Sequence, residues 1–317
     1  MPLKVEYAMP FAMARAGYAD LDVSFTIVAC LMSAAFLILA LNYVRRSRVP
    51  AFDLERAIAR GEIKPYYQPV INLRTGGLVG CEVLCRWEKK NGEIVPPGAF
   101  IDYAEVTGLA IPMTLSLMQQ VKYDLSDLCT LMPDMKVAIN LFEGHFRDDS
   151  IVADVQGIFG NSPVNFRQLV FEITERHPLA NSGVANSVIA GLHAMGCKLA
   201  MDDAGTGHSN LAYLGTLGID VIKIDRIFVD MIKPGTTQVP VLDGLIAMAK
   251  DLDCEIVAEG VETEAQALYL RARGVVQAQG FIFAPALKNS AFKELAMALH
   301  ANMAETTQIE AVVASAA

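Results

Sequence analysis

Short apolar runs at 79–82, 137–140, 170–172, 199–203, 221–223 and 256–259 close on Glu82, Asn140, Glu172, Asp202 with Asp203, Lys223 and Glu259. From Glu82 to Glu259 the closing residues fall 58, 32, 30, 21 and 36 positions apart. With the first interval counted as two units, that approaches the roughly 30 residues of one strand-plus-helix unit in an eight-fold α/β barrel. Helical patterns lie at 113–131, 183–195, 211–217, 239–252 and 262–273, with apolar positions recurring every three to four residues. Upstream, strands are expected at 67–71 and 78–87 around a turn at 74–77, then a Pro-Pro-Gly stretch and a helical segment at 100–107. This alternation predicts an α/β fold, either a closed TIM-like (βα)8 barrel of parallel strands or a doubly wound sheet. The barrel accounts better for the spread of polar residues, because it brings every strand end to one face, whereas an open sheet gathers its site at one switch point.

The amino-terminal pattern is different. Residues 23–44 form 22 consecutive positions without a charge. As a helix they would reach roughly 33 Å, enough for a hydrocarbon core of about 30 Å. A buried core helix or a signal peptide are the plainer readings. The run is longer than a signal core of about 7–15 residues, however, and no small-residue cleavage site follows it. Arg45, Arg46 and Arg48 follow the run, while the charges of Lys4, Glu6, Arg15, Asp20 and Asp22 before it sum to −1. Positive residues stay inside. The expected organisation is a short extracytoplasmic segment at 1–22, one transmembrane helix at 23–44, a juxtamembrane linker at 45–61, the barrel at 62–298 and a flexible Ala-rich tail at 299–317. That makes a single-pass protein of the bacterial inner membrane with its barrel in the cytoplasm.

Composition narrows the partners. A net charge of −9 argues against a nucleic-acid polymer, which needs a basic stripe to neutralise phosphates. A small phosphorylated ligand stays open, because bound divalent cations reverse the local sign. The six cysteines form no Cys-x-x-Cys pair and read as buried, reduced thiols. The five histidines are dispersed, which speaks against a histidine-built zinc site. What converges instead is hard oxygen, which suits Mg²⁺ or Mn²⁺. Glu82 sits among apolar neighbours, where an unpaired carboxylate is costly. Asp202 and Asp203 would face opposite ways inside a strand, so both reach one site only at a strand end, which Gly205-Thr206-Gly207 supplies. Taken alone, Lys223-Ile224-Asp225 reads as a strand-end salt bridge and Glu259 as a cap for the next helix.

Eight ordered stretches together resemble one family. They are Tyr66-Tyr67-Gln68-Pro69-Val70, Cys81-Glu82-Val83-Leu84-Cys85-Arg86-Trp87, Ala138-Ile139-Asn140-Leu141, Phe171-Glu172-Ile173-Thr174-Glu175, Asp202-Asp203-Ala204-Gly205-Thr206-Gly207-His208-Ser209, Lys223-Ile224-Asp225, Ala258-Glu259-Gly260-Val261-Glu262-Thr263 and Gln279-Gly280-Phe281. This resembles the EAL domain, the bacterial phosphodiesterase family acting on cyclic di-GMP, over about 63–288. The resemblance implies a homodimeric barrel enzyme with two Mg²⁺ or Mn²⁺ ions that hydrolyses the dinucleotide to linear pGpG. It assigns Glu82, Asn140, Glu172 and Asp202 to one ion, and Asp202, Asp203 and Glu259 to the second. Lys223 becomes the contact to the attacking water and Glu259 the general base. Arg86 becomes a phosphate contact, Gln68 and Gln279 substrate-pocket positions, and Glu175, Thr206 and Glu262 supporting or loop residues. Glu262 could equally cap a helix.

Val83 departs from the family's alanine, His208 from a common tyrosine, and Ala204 from the usual phenylalanine in a loop linked to dimer contact. The stretch at 219–260 is most like membrane-bound EAL proteins whose periplasmic sensor carries a Cys-Ser-Ser motif, and that sensor is missing here. Two rival readings are a weakly catalytic cyclic di-GMP receptor and a metabolic barrel using Gly205-Thr206-Gly207 for a sugar phosphate. The metabolic barrel explains neither the asparagine nor the paired aspartates.

Overall fold

The computed structural model describes residues 19–46, 51–174, 183–205 and 218–316. They fall in two units, Met1–Pro50 and Ala51–Ala317. In the first, a single helix α1 (Ala19–Arg46) contains the uncharged run. Its described side chains, at 23–39, are exposed, with Phe25, Leu31, Phe36 and Leu39 among the large apolar ones. Among the described residues no helix is long and apolar enough to cross a membrane.

The second unit begins with α2 (Ala51–Ala59), β1 (Ile63–Asn72), β2 (Leu78–Glu88) and a two-residue β3 (Ile94–Val95) that pairs with β2. Then come α3 (Ile101–Thr107), α4 (Ala110–Leu131), β4 (Lys136–Leu141), α5 (Ser150–Phe159), β5 (Leu169–Thr174), α6 (Gly183–Met195) and β6 (Lys198–Ala204). The remainder is β7 (Val221–Ile224), α7 (Arg226–Val229), α8 (Pro240–Asp251), β8 (Glu255–Ala258), α9 (Glu264–Ala272), β9 (Gln277–Ala278) and α10 (Asn289–Ala316). Pairing runs β1-β9-β8-β7-β6-β5-β4-β2 and closes through β1–β2, giving an eight-strand barrel of the TIM-like α/β kind.

Two expectations are corrected. The barrel is not all parallel, because β1 runs antiparallel to both β2 and β9. The link between β1 and β2 spans only residues 73–77, and a parallel crossover needs a dozen residues or more. The first interval, from Glu82 to Asn140, is likewise not two barrel units, because β2 pairs directly with β4. Its length is taken up by β3, α3 and α4 in a single crossover.

Alternation with period two sorts each strand. In β5, Phe171 and Ile173 join the core under the helices, while Val170 faces inward. Val70, Val170, Ala200, Val221 and Val257 pack together as an apolar layer inside the barrel, with Val79 and Ala138 against them. Beyond that layer the next inward position of several strands is an acid, an amide or Lys223. Outside, α6 buries Ala185, Val188, Ile189 and Leu192 on one face. Residues 299–316 of the tail expected to be flexible continue α10, because an Ala-rich stretch without Gly or Pro has high helix propensity. The helix expected at 211–217 lies outside the described residues.

Candidate active site

Lys223 near the end of β7 is the centre of the polar layer. Its Nζ lies 2.8 Å from Glu172 Oε2, 2.8 Å from Glu259 Oε1, 3.1 Å from Asp202 Oδ1 and 3.3 Å from Glu82 Oε2. Strands β2, β5 and β6 supply Glu82, Glu172 and Asp202, and Glu259 directly follows β8. Gln279 just after β9 donates from Nε2 to Glu82 Oε2 at 2.5 Å and to Glu259 Oε1 at 3.1 Å. Asn140 on β4 donates more weakly to Glu82 Oε1 at 3.5 Å. Lys223, five of the residues expected as metal ligands and Gln279 therefore meet within one layer.

Four carboxylates around one ammonium would be strongly negative if all were ionised. Burial alone would lower the Lys223 pKa, but Asp202, Glu172, Glu259 and Glu82 together hold it well above its ordinary value. Burial pushes the Glu172 carboxyl up, and the charges of Glu82 and Asp202 add to this against Lys223. Glu259 is pushed up to about 8 by burial and by Asp202 and Glu82, against the pull of Lys223. Burial also opposes ionisation of Glu82, yet Lys223 and hydrogen bonds from Gln279 and Asn140 hold it below the usual range. Charge this unbalanced calls for another cation.

The donors suit a hard divalent ion, since they are carboxylates and amides with no thiolate or imidazole. As they stand, however, the acids close on Lys223, and among the described residues no three His, Cys, Asp or Glu side chains form a ready metal cage. Among the described residues the buried Gln279 Oε1 atom has no hydrogen-bond partner. An unpaired acceptor beside an anionic cluster fits a cationic or protic guest.

Asp202 and Asp203 reach one opening by a route the sequence did not suggest. Both lie inside β6, where the pairing with β7 shifts register between Met201 and Ala204, and Asp203 adopts φ of 55°. A bulge with a left-handed residue turns a side chain that alternation would send outward. Both aspartates line a cavity of about 470 Å³ together with Glu82 and Asn140. Its far wall is largely apolar, from Leu84, Ile101, Met113, Leu117 and Phe142. Asp102 and Glu105 also line it. Neither stood out in the sequence, because each sits in an ordinary helical pattern and only the fold turns α3 toward the acids.

The remaining expected residues divide. Gln68 is opposite Glu82 in the β1–β2 register and points its amide at the Ala284 carbonyl, 3.5 Å away. Arg86 lies four residues beyond Glu82 on the same strand, about 13 Å at a strand's rise. Its guanidinium donates to the Cys85 carbonyl at 2.8 Å and stands 5.8 Å from the Tyr66 ring centroid. Glu262 does not cap α9. Thr263 does, accepting from Gln266 N in a capping box, while Glu262 pairs with Arg226 at 2.8 Å. Ala204 is buried in the core. Glu175, Thr206 and His208 lie outside the described residues.

Comparison with known proteins agrees with this geometry. The family model for the EAL domain matches residues 52–286. The probable cyclic di-GMP phosphodiesterase PdeG of Escherichia coli (strain K12) is 39% identical over 258 residues, covering 81% of this chain and 50% of the relative. Cyclic di-GMP phosphodiesterase PdeL of the same organism is 35% identical over 237 residues, covering 74% of this chain and 66% of the relative. The solved structure of the PaMucR phosphodiesterase in complex with c-di-GMP superposes with a TM-score of 0.70 at 29% identity, covering 76% of this chain and 98% of that one. The chain spans about half the length of the first curated relatives it matches. The ordered motifs, the barrel with its reversed first strand and the matched family model lead to one conclusion, that the chain belongs to the EAL domain family.

Proposed function

We propose that the chain is a cyclic di-GMP phosphodiesterase that hydrolyses the dinucleotide to linear pGpG. The observation that carries this reading is the set of Glu82, Asn140, Glu172, Asp202 and Glu259 gathered around buried Lys223, beside a cavity whose far wall could receive a flat base. Relatives named as cyclic di-GMP phosphodiesterases support the substrate. In the reaction one P–O3′ bond breaks, water supplies the new P–O bond, and a proton reaches the leaving oxygen.

Glu82, Asn140, Glu172 and Asp202 would hold one Mg²⁺ or Mn²⁺, and Asp202, Asp203 and Glu259 a second. When bound, such ions polarise the phosphoryl oxygens and favour ionised water. The protein's own groups do the rest. Lys223 keeps the carboxylates convergent and presents a donor to the attacking water. Glu259, whose carboxyl is pushed up to about 8 without metal, takes the proton as general base. Gln279 has its amide donors engaged by Glu82 and Glu259, so it sets their separation while its Oε1 acceptor is left to meet a guest. Arg86 would meet a phosphate oxygen at the rim.

The reading is tested with purified full-length protein, cyclic di-GMP and Mg²⁺ or Mn²⁺, following pGpG release. Tight binding without product would sink it in favour of a receptor, the alternative that Ala204 in place of the family's aromatic residue favours. Ca²⁺ should inhibit, because its longer and looser coordination disturbs in-line geometry; rapid turnover with Ca²⁺ alone would refute the two-ion scheme.

Side chains of the uncharged run at 23–44 are described only at 23–39; from the sequence of the whole run we also propose that it anchors the chain in the bacterial inner membrane, with the barrel in the cytoplasm. Its apolar residues surround the helix instead of forming a stripe, the pattern of a helix enclosed by apolar surroundings. Arg45, Arg46 and Arg48 follow it. Extraction into the soluble fraction by alkaline carbonate would refute the anchor. A homodimer is proposed from the family resemblance, and sedimentation showing one copy at working concentration would remove it.

A further inference from the structure

Glu259 is held from two sides. Its backbone N–H donates to the Ile224 carbonyl at 3.0 Å, laying the loop after β8 against the end of β7. Immediately after β7, Asp225 caps α7 by accepting from Ile227 N at 2.8 Å. The next side chain, Arg226, runs back across the neighbouring loop. Its stem lies so close over Gly260 that a Cβ there would stand 2.5 Å from Arg226 Cγ and 2.6 Å from its Cβ. Gly260 also has φ of 65°, so glycine is required there both by space and by backbone conformation. Past Gly260 the guanidinium reaches Glu262 Oε1 through Nη1 at 2.8 Å and Asp230 Oδ2 through Nε at 3.0 Å. The loop from Glu259 to Glu262 is thus tied inside by Lys223 and outside by Arg226, with Gly260 between them.

We propose that Arg226 is a positioning residue for Glu259, acting as a strap across Gly260; this rests on the reading of Glu259 as general base and metal ligand. The plainer account is a solvent-exposed ion pair. Such pairs contribute little to stability, and the Arg226 side chain is half exposed, so on that account its loss changes little. A strap behaves differently. Stability barely moves, while a carboxylate displaced by a fraction of an ångström loses rate, since reacting groups tolerate little misplacement.

The test uses the full chain with Arg226→Ala, Arg226→Met and Asp230→Asn. Melting temperature, kcat and KM for cyclic di-GMP are followed, together with Mn²⁺ affinity by calorimetry. Arg226→Ala should lower kcat by about 10-fold with KM within about two-fold and Mn²⁺ bound about three-fold more weakly. Arg226→Met keeps the stem over Gly260 and should fall between Arg226→Ala and wild type. Asp230→Asn removes only the helix-surface pair and should match wild type. Unchanged kcat and Mn²⁺ affinity in Arg226→Ala would overturn the strap, as would losses that merely track the melting temperature. If the unmutated chain fails to turn over the dinucleotide, the phosphodiesterase reading falls; the strap is then decided by Mn²⁺ affinity, and equal values across the three variants overturn it.

Discussion

The barrel carries a lysine–carboxylate cluster at each end, and the two differ in what surrounds them. At the amino-terminal ends of the strands, Lys198 pairs with Glu255, which also accepts from Gln277 at 3.0 Å. Those side chains are 31% and 42% exposed, one charge of each sign in reach of water. At the opposite end Lys223 is 3% exposed and faces four carboxylates. A one-to-one pair in solvent contributes little and is screened by salt. A buried cluster with more carboxylates than cations is costly to maintain, and it marks the end at which the proposed chemistry would take place.

The largest test of this contrast removes each lysine. Lys223→Met should destabilise the metal-free fold by about 3–5 kcal/mol in urea unfolding and abolish turnover, because it leaves buried carboxylates uncompensated. Lys198→Met, read in the same assay, should cost under about 1 kcal/mol. Equal losses would erase the distinction between the two ends. Next comes Glu259→Gln, which should keep at least one bound ion and lose about 10²–10⁴-fold in kcat. Full activity would exclude Glu259 as base. Glu82→Ala and Asp202→Ala should instead lose metal and turnover together.

A third test is pH. Glu259 titrates near 4.5 when unfolded and at about 8 in the metal-free fold, and Glu172 is shifted the same way. Stability tied to their neutral forms is whole below about pH 4.5 and is lost as pH rises through about 8. Melting temperature of the metal-free protein should therefore decline over that window, and added Mg²⁺ should reverse the decline; a flat profile would mean that the excess charge is already neutralised. A smaller effect than those at Lys223 and Glu259 is expected at Ala204, buried at 2% exposure beside a backbone that passes close under the Phe228 ring at Gly205. Ala204→Phe should overpack the core by about 1–3 kcal/mol. If it also makes turnover depend on protein concentration, dimer-linked control reaches this loop.

The strand ends were legible because a polar residue that closes an apolar run has few roles, and Glu82, Asn140, Glu172, Asp202, Lys223 and Glu259 all took the inward face. The antiparallel β1 was legible in principle: five residues between two strands permit a hairpin and forbid a crossover, yet the regular spacing of the later units drew the inference toward a uniform barrel. The Asp202–Asp203 bulge was hidden, since a left-handed aspartate depends on how β6 meets β7 and not on local composition. Gln279 was expected in the pocket, and the bridge its amide makes between two acids was not legible, because nothing in the chain reveals it. Asp102 and Glu105 were invisible for a different reason, namely that helices α3 and α4 wall the cavity only after the long crossover folds back.

The apolar layer of Val70, Val170, Ala200, Val221 and Val257 gives the chamber above it the character of a cul-de-sac. Among the described residues that layer fills the barrel's axis, so a guest would enter and leave on the side of the acids. In the proposed reaction a product that lingers there would hold the room against the next occupant, and its dwell time would brake throughput as much as any step of bond breaking.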